Sequence, residues 1–224
     1  MTPPFSTEQF LSVFRLYNTS IWPGQILLNA LGILAIILCC RKNVDSVAIS
    51  LFLAGLWLWT GIVYHIVFFS LINPAAFIFG GLCVVQGALF IYYGVVRRAI
   101  SFAYRRDLKG MTGALLLVYA LIVYPVIGYF LGHAYPYAPT FGAPCPATIF
   151  TFGLLLWTTS RVRGYLVTIP FLWTLVGSSA ALHLGIREDI GLLISGVLGT
   201  ALLTLPEGIW GRSRTSQSPD RTTE

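Results

Sequence analysis

Seven stretches of this chain are long, apolar and almost free of charge: 21–40, 47–70, 74–96, 111–132, 146–160, 165–185 and 189–206. A hydrocarbon core about 30 Å thick takes about 20 apolar residues in helix to cross. Inside lipid every backbone N–H and C=O must find a partner within the protein, so spans of this kind are helices. A soluble domain is ~25% charged, whereas this chain is 10% charged, 56% hydrophobic and has a mean hydropathy of +0.79. The expected fold is therefore all-α, a polytopic membrane bundle of seven transmembrane helices forming a single domain over 1–210. The span at 146–160 is the shortest of the seven.

The fourteen Lys and Arg residues fix an expected orientation. Arg41, Lys42, Arg97, Arg98, Arg105, Arg106, Lys109, Arg161, Arg163, Arg212, Arg214 and Arg221 fall on one side of the spans, and only Arg15 and Arg187 on the other. Cytoplasmic loops carry the excess of positive charge, which places the amino terminus outside, the carboxyl terminus inside and the protein in the inner membrane. The net charge of +6 is thus spent on topology, and nucleic acid is not an expected partner. The first apolar run lacks a small-residue cleavage site, so it is expected to stay as a span rather than leave as a signal peptide.

Outside the spans, residues 6–19 open with a helix-start signal at Ser6 to Gln9 and space Phe10, Phe14 and Tyr17 by three and four. They are expected to form an amphipathic helix on the membrane surface. Residues 211–224 are polar and are expected to be a disordered cytoplasmic tail. Gly191, Ser195 and Gly199 form a small-residue stripe on the seventh span and Gly177 to Ala181 another on the sixth, so these two helices should pack closely. Pro125 should kink the fourth span.

The stretch from Gly132 to Phe150 carries Pro136, Pro139, Pro144 and Pro146 but no Asp, Glu, Lys or Arg. Its part at 133–145 is expected to cap the outer mouth of the bundle, because a proline removes a donor that would otherwise need a partner; the same features also suit a plain rigid surface loop.

Candidate chemistry is sparse. Glu188 and Asp189 sit at the outer start of the seventh span, where acids complement a helix dipole and Arg187 could pair with either. No carboxylate is expected at mid-membrane, which weighs against a proton-driven carrier. The seventh span has no lysine, which excludes retinal. No P-loop, H-E-x-x-H, G-x-S-x-G or G-x-G-x-x-G occurs, and no catalytic residue is assigned. His65, His133 and His183 are all expected near the outer ends of spans, with Cys145, Tyr64, Tyr135 and Tyr137 in the same layer. Three readings of that layer stay open. The side chains anchor helix ends at the headgroups; or His65, His133, His183 and Cys145 hold a metal ion, or histidines a haem; or His65, His133, Tyr135, Tyr137 and His183, with Gln25, Asn29 and Gln86 deeper, line the path of a small solute or ion. Gln25, Asn29 and Gln86 could equally make single interhelical hydrogen bonds.

The runs WTGIVYHIVFFSLINPAA (Trp59 to Ala76), GHAYPYAPTFGAPCPATIFTFG (Gly132 to Gly153) and Leu172 to Ala181 resemble a bacterial family of small multi-pass membrane proteins of unknown function, some labelled permease-like. The resemblance implies the architecture and supplies no catalytic residue or cofactor. The expected function is binding or passage of a small solute or ion through an outward-facing pocket. The alternatives are a metal- or haem-binding redox subunit and a structural subunit of a larger membrane complex.

Overall fold

A computed structural model describes residues 4–204. The expected tail at 211–224, with Arg212, Arg214 and Arg221, and the last residues of the seventh expected span lie outside the described residues.

The helices in chain order are α1 (Thr7–Ser20), α2 (Gly24–Cys39), α3 (Ser46–Leu71), α4 (Ala76–Val96), α5 (Leu108–Phe130), α6 (Pro144–Leu156), α7 (Gly164–Leu184) and α8 (Ile190–Thr204). Four of them, α3, α4, α5 and α7, are long and apolar enough to cross a membrane, and α1 with α2 makes a fifth if that pair, bent by 85°, is one span. The described residues are thus all-helical, with four to five helices long and apolar enough to cross a membrane where seven were expected. The difference lies mainly in α2 and α6, at 16 and 13 residues, and in α8, which is described only as far as Thr204.

Local sequence sets the helix starts. Ser6 accepts the Gln9 N–H and the Gln9 side chain returns to the Ser6 N–H, a reciprocal cap for α1. Asp45 accepts the N–H groups of Val47 and Ala48 at the start of α3, and Asp107 accepts that of Gly110 at the start of α5. Pro144 begins α6 at a position where its missing N–H costs nothing. Gly185, at φ 75°, ends α7 in the left-handed conformation that glycine adopts without strain.

The centre of the bundle is α6, in which every residue is buried. Its apolar sequence faces protein rather than lipid. Gly113 of α5 and Gly153 of α6 let two backbones touch: a Cβ on Gly113 would lie 2.8 Å from the Gly153 carbonyl oxygen. Trp57 of α3 donates from Nε1 to Thr151 Oγ1 of α6 at 3.0 Å. The stripe on α8 also serves this centre. A Cβ on Gly199 would meet the Phe152 ring and one on Gly191 the Tyr119 ring, so the stripe faces α6 and α5 and not α7 as expected. Contact with α7 runs through neighbouring residues: Leu192 lies over Gly177, and Gly196 under Thr174.

Two helices carry a proline inside an apolar run. In α5, the π-helical turn Tyr119–Val123 precedes Pro125, the irregularity that a proline commonly brings. In α7, Pro170 cannot donate to the carbonyl of Leu166, four residues earlier. Gln86 of α4, fully buried, supplies that donor from Nε2 at 3.0 Å.

The connections gather at two ends. At the basic end, the Tyr104 N–H donates to the Cys39 carbonyl, that of Ala103 to Trp157 and that of Thr159 to Ser101. These bonds join the linkers that carry Arg41 and Lys42, Arg97 to Lys109, and Arg161 and Arg163. At the other end, α1 packs on the proline-rich segment. Asn18, fully buried, donates from Nδ2 to the carbonyls of Pro136 (2.7 Å) and Ala138 (2.8 Å) and accepts the Thr140 hydroxyl (2.7 Å). The Thr60 hydroxyl of α3 approaches the Gly142 carbonyl at 3.4 Å. The buried face of α1 (Val13, Phe14, Tyr17, Asn18) therefore rests largely on protein.

Candidate functional site

A cavity of about 620 Å³ opens at the proline-rich end. Five parts of the chain build it: Phe10 and Phe14 from α1, Tyr64 and Phe69 from α3, Phe79 from α4, Trp173 to His183 from α7, and a floor of Pro144, Cys145 and Asp189. Its walls are one aromatic cluster. Phe14 stacks on Tyr64 at 5.5 Å, Phe5 meets Phe69 edge-on at 5.5 Å, and Phe79 meets Trp173 at 5.6 Å. Tyr64 and His65 lie in the π-helical part of α3, Thr60–Phe68, and π turns often mark functional sites.

The polar part of the floor comes from the short turn Arg187–Asp189 that leads into α8. Although the sequence places these acids at a helix edge, both are buried, Glu188 at 1% and Asp189 at 4% exposure. Partners on α5 explain how they are tolerated. The Tyr124 hydroxyl donates to Asp189 Oδ1 at 2.6 Å, the Tyr119 hydroxyl to the Glu188 carbonyl at 2.7 Å, and His133 Nδ1 lies 2.8 Å from Glu188 Oε1. Tyr119 and Tyr124 flank the π turn of α5. Glu188 Oε2 has no partner. Glu188 meets His133 rather than Arg187, with which it could have paired.

The sequence-derived candidates disperse. His183 lines the cavity, with Nδ1 2.7 Å from the Ser179 carbonyl, and Cys145 lies in its floor. His65 is wholly buried behind the wall, ringed by Tyr64, Phe69, Phe79 and Trp173, and neither of its nitrogens has a partner. His133 belongs to the Glu188 pair. Tyr135 and Tyr137 are exposed; Tyr135 meets Trp22 edge-on and Tyr137 lies under Arg15. Gln25 donates to the Asn18 carbonyl of α1 and Gln86 to the Leu166 carbonyl of α7, each tying two helices, whereas Asn29 donates to the Gln25 carbonyl within α2; none of the three lines this cavity. Among the described residues no group of three His, Cys, Asp or Glu side chains could hold a metal ion. The grouping of His65, His133, His183 and Cys145 does not form, because the helices carry these side chains into different contacts.

Sequence reasoning missed Trp173 and Tyr124, and it gave Asp189 only the role of a helix-start acid. The available signal was the Glu188-Asp189 pair itself, two acids beside an apolar span and facing two tyrosines of α5.

The fold and cavity define the class: an all-helical bundle with four to five helices long and apolar enough to cross a membrane, and a cavity at one end. Its family is shown by a family model that matches residues 7–211, and the chain belongs to the family of unknown function DUF6064. Comparison with curated proteins and with solved structures gives no match.

Proposed function

We propose that this protein is a non-enzymatic inner-membrane protein that binds a small, largely apolar solute in the aromatic cavity, with the proline-rich end outward. The observation that carries the reading is the cavity itself. At about 620 Å³ it falls within the range of small-ligand sites, about 300–1,000 Å³, and it pairs apolar walls with few polar groups, as such sites do. The outward orientation is supported by the joining of the basic linkers at the opposite end, since positive charge stays in the cytoplasm.

Purified protein in a nonionic detergent, melted against a panel of small amphiphiles, tests the reading. A ligand that binds only the folded state raises the melting temperature with concentration. A panel that moves the melting temperature no more than detergent alone overturns it. Uptake by reconstituted vesicles separates passage from binding.

A further inference from the structure

We infer that the solute is an amphipathic organic cation, its apolar body held by the aromatic walls and its ammonium or equivalent charge by Asp189. The inference rests on the cavity reading above and names the ligand class for that site. The lining includes one carboxylate, that of Asp189, and among the described residues no Lys or Arg. An anion there would meet a buried carboxylate with no cation to offset it. A cation meets complementary charge in a place of low polarity, where such pairing is strong.

Two further features favour the ionised acid against the neutral form that burial favours. Asp189 accepts the Tyr124 hydroxyl, and it immediately precedes α8, whose N-terminal dipole favours negative charge. The walls add to the preference, because the faces of Trp173, Tyr64 and the phenylalanines attract cations. His183, also in the lining, is exposed and donates from Nδ1 to the Ser179 carbonyl. Glu188 lies next in sequence, and its side chain is taken up with His133.

Tetraphenylphosphonium and tetraphenylborate have nearly the same shape and opposite charge, which makes them suitable probes. Equilibrium dialysis in nonionic detergent, corrected with empty micelles, measures both. The expected result is phosphonium bound about tenfold or more tighter than borate, with the preference lost in Asp189→Asn. Equal binding of the two ions, or tighter binding of borate, overturns the inference and leaves the cavity reading standing. Binding of neither ion overturns both. A preference retained in folded Asp189→Asn also overturns the inference. If that variant does not fold, the two-ion comparison on the unaltered protein decides alone.

Discussion

Gln86 replaces a hydrogen bond that Pro170 cannot make, and a double-mutant cycle measures that repair. Within α7 the Leu166 carbonyl loses its usual i+4 donor because residue 170 is proline. The Gln86 amide reaches it at 3.0 Å from α4. Gln86→Leu leaves that carbonyl without a partner in a fully buried place, at a cost of about 1–3 kcal/mol. Part of this is returned, because Gln86 Oε1 has no partner and leaves with the side chain. The net loss expected is therefore about 1 kcal/mol, equivalent to about 2–4 °C in melting temperature for a chain of this size. Pro170→Ala restores the backbone donor, so Gln86→Leu should cost little in that background. The coupling between the two changes should be about 1 kcal/mol, read from denaturant unfolding of the four proteins in one detergent. Additive effects, with coupling below about 0.3 kcal/mol, would refute the pairing.

Other expectations follow from particular contacts. Asn18→Ala removes three hydrogen bonds to the proline-rich segment at about 1 kcal/mol each, and should speed amide exchange across residues 136–143 while α4 stays protected. Gly153→Leu forces a side chain into Leu117, whose Cγ would lie 2.8 Å from the new Cβ; overpacking of about 1–3 kcal/mol or more should appear as a lower yield of folded protein, which Gly153→Ala relieves only in part. At Asp107 burial alone would raise the carboxyl, but the Gly110 N–H, Arg105 and Lys109 together hold it below the usual carboxylate range. Its stabilising share is complete above the unfolded value of about 3.9 and is lost as pH falls through the lower folded one. Asp107→Asn keeps a capping side chain and should flatten this part of the acid melting profile relative to the unaltered protein.

Hydropathy located the helices well and their surroundings poorly, for one physical reason: a segment facing lipid and a segment buried in protein are equally apolar. Nothing in ATIFTFGLLL of α6 separates the wholly buried centre from the exposed apolar residues Ile26, Leu27, Leu31, Ile33 and Leu34 of α2. The clue was length alone, since 13 residues fall short of a span. The capping box at Ser6 and Gln9 was legible because both partners lie within one turn. The Gln86 and Pro170 repair was not, because a glutamine in an apolar run declares a need for a partner without naming it. Glu188 and Asp189 read as edge acids because helix starts commonly carry them. Only the fold brings Tyr119, Tyr124 and His133 around them. The histidines shared an end of the bundle but not a direction, and a topology argument supplies depth without supplying the face of the helix.

The short central helix also bears on whether a solute could pass through. At ~1.5 Å per residue, 13 residues of α6 rise only ~20 Å, less than the ~30 Å of a bilayer core. Space is left beyond each end. Pro144 and Cys145 form part of the floor of the aromatic cavity, while Leu156 at the other end lines a second cavity of about 540 Å³ with Arg105, Lys109, Arg161 and the hydroxyls of Thr158 to Ser160. The two cavities differ in character, one aromatic with a carboxylate and the other basic, so one cation would not be equally at home in both. Between them α6 is closely held, by the glycine contact with α5, by Phe152 against Gly199 of α8 and by Trp57 on Thr151. Passage would require α6 to leave all three contacts together, and packed interiors resist such gradual deformation. A solute that enters beside Asp189 is better placed to return by the way it came, which favours a binding role for the cavity over a conducting one.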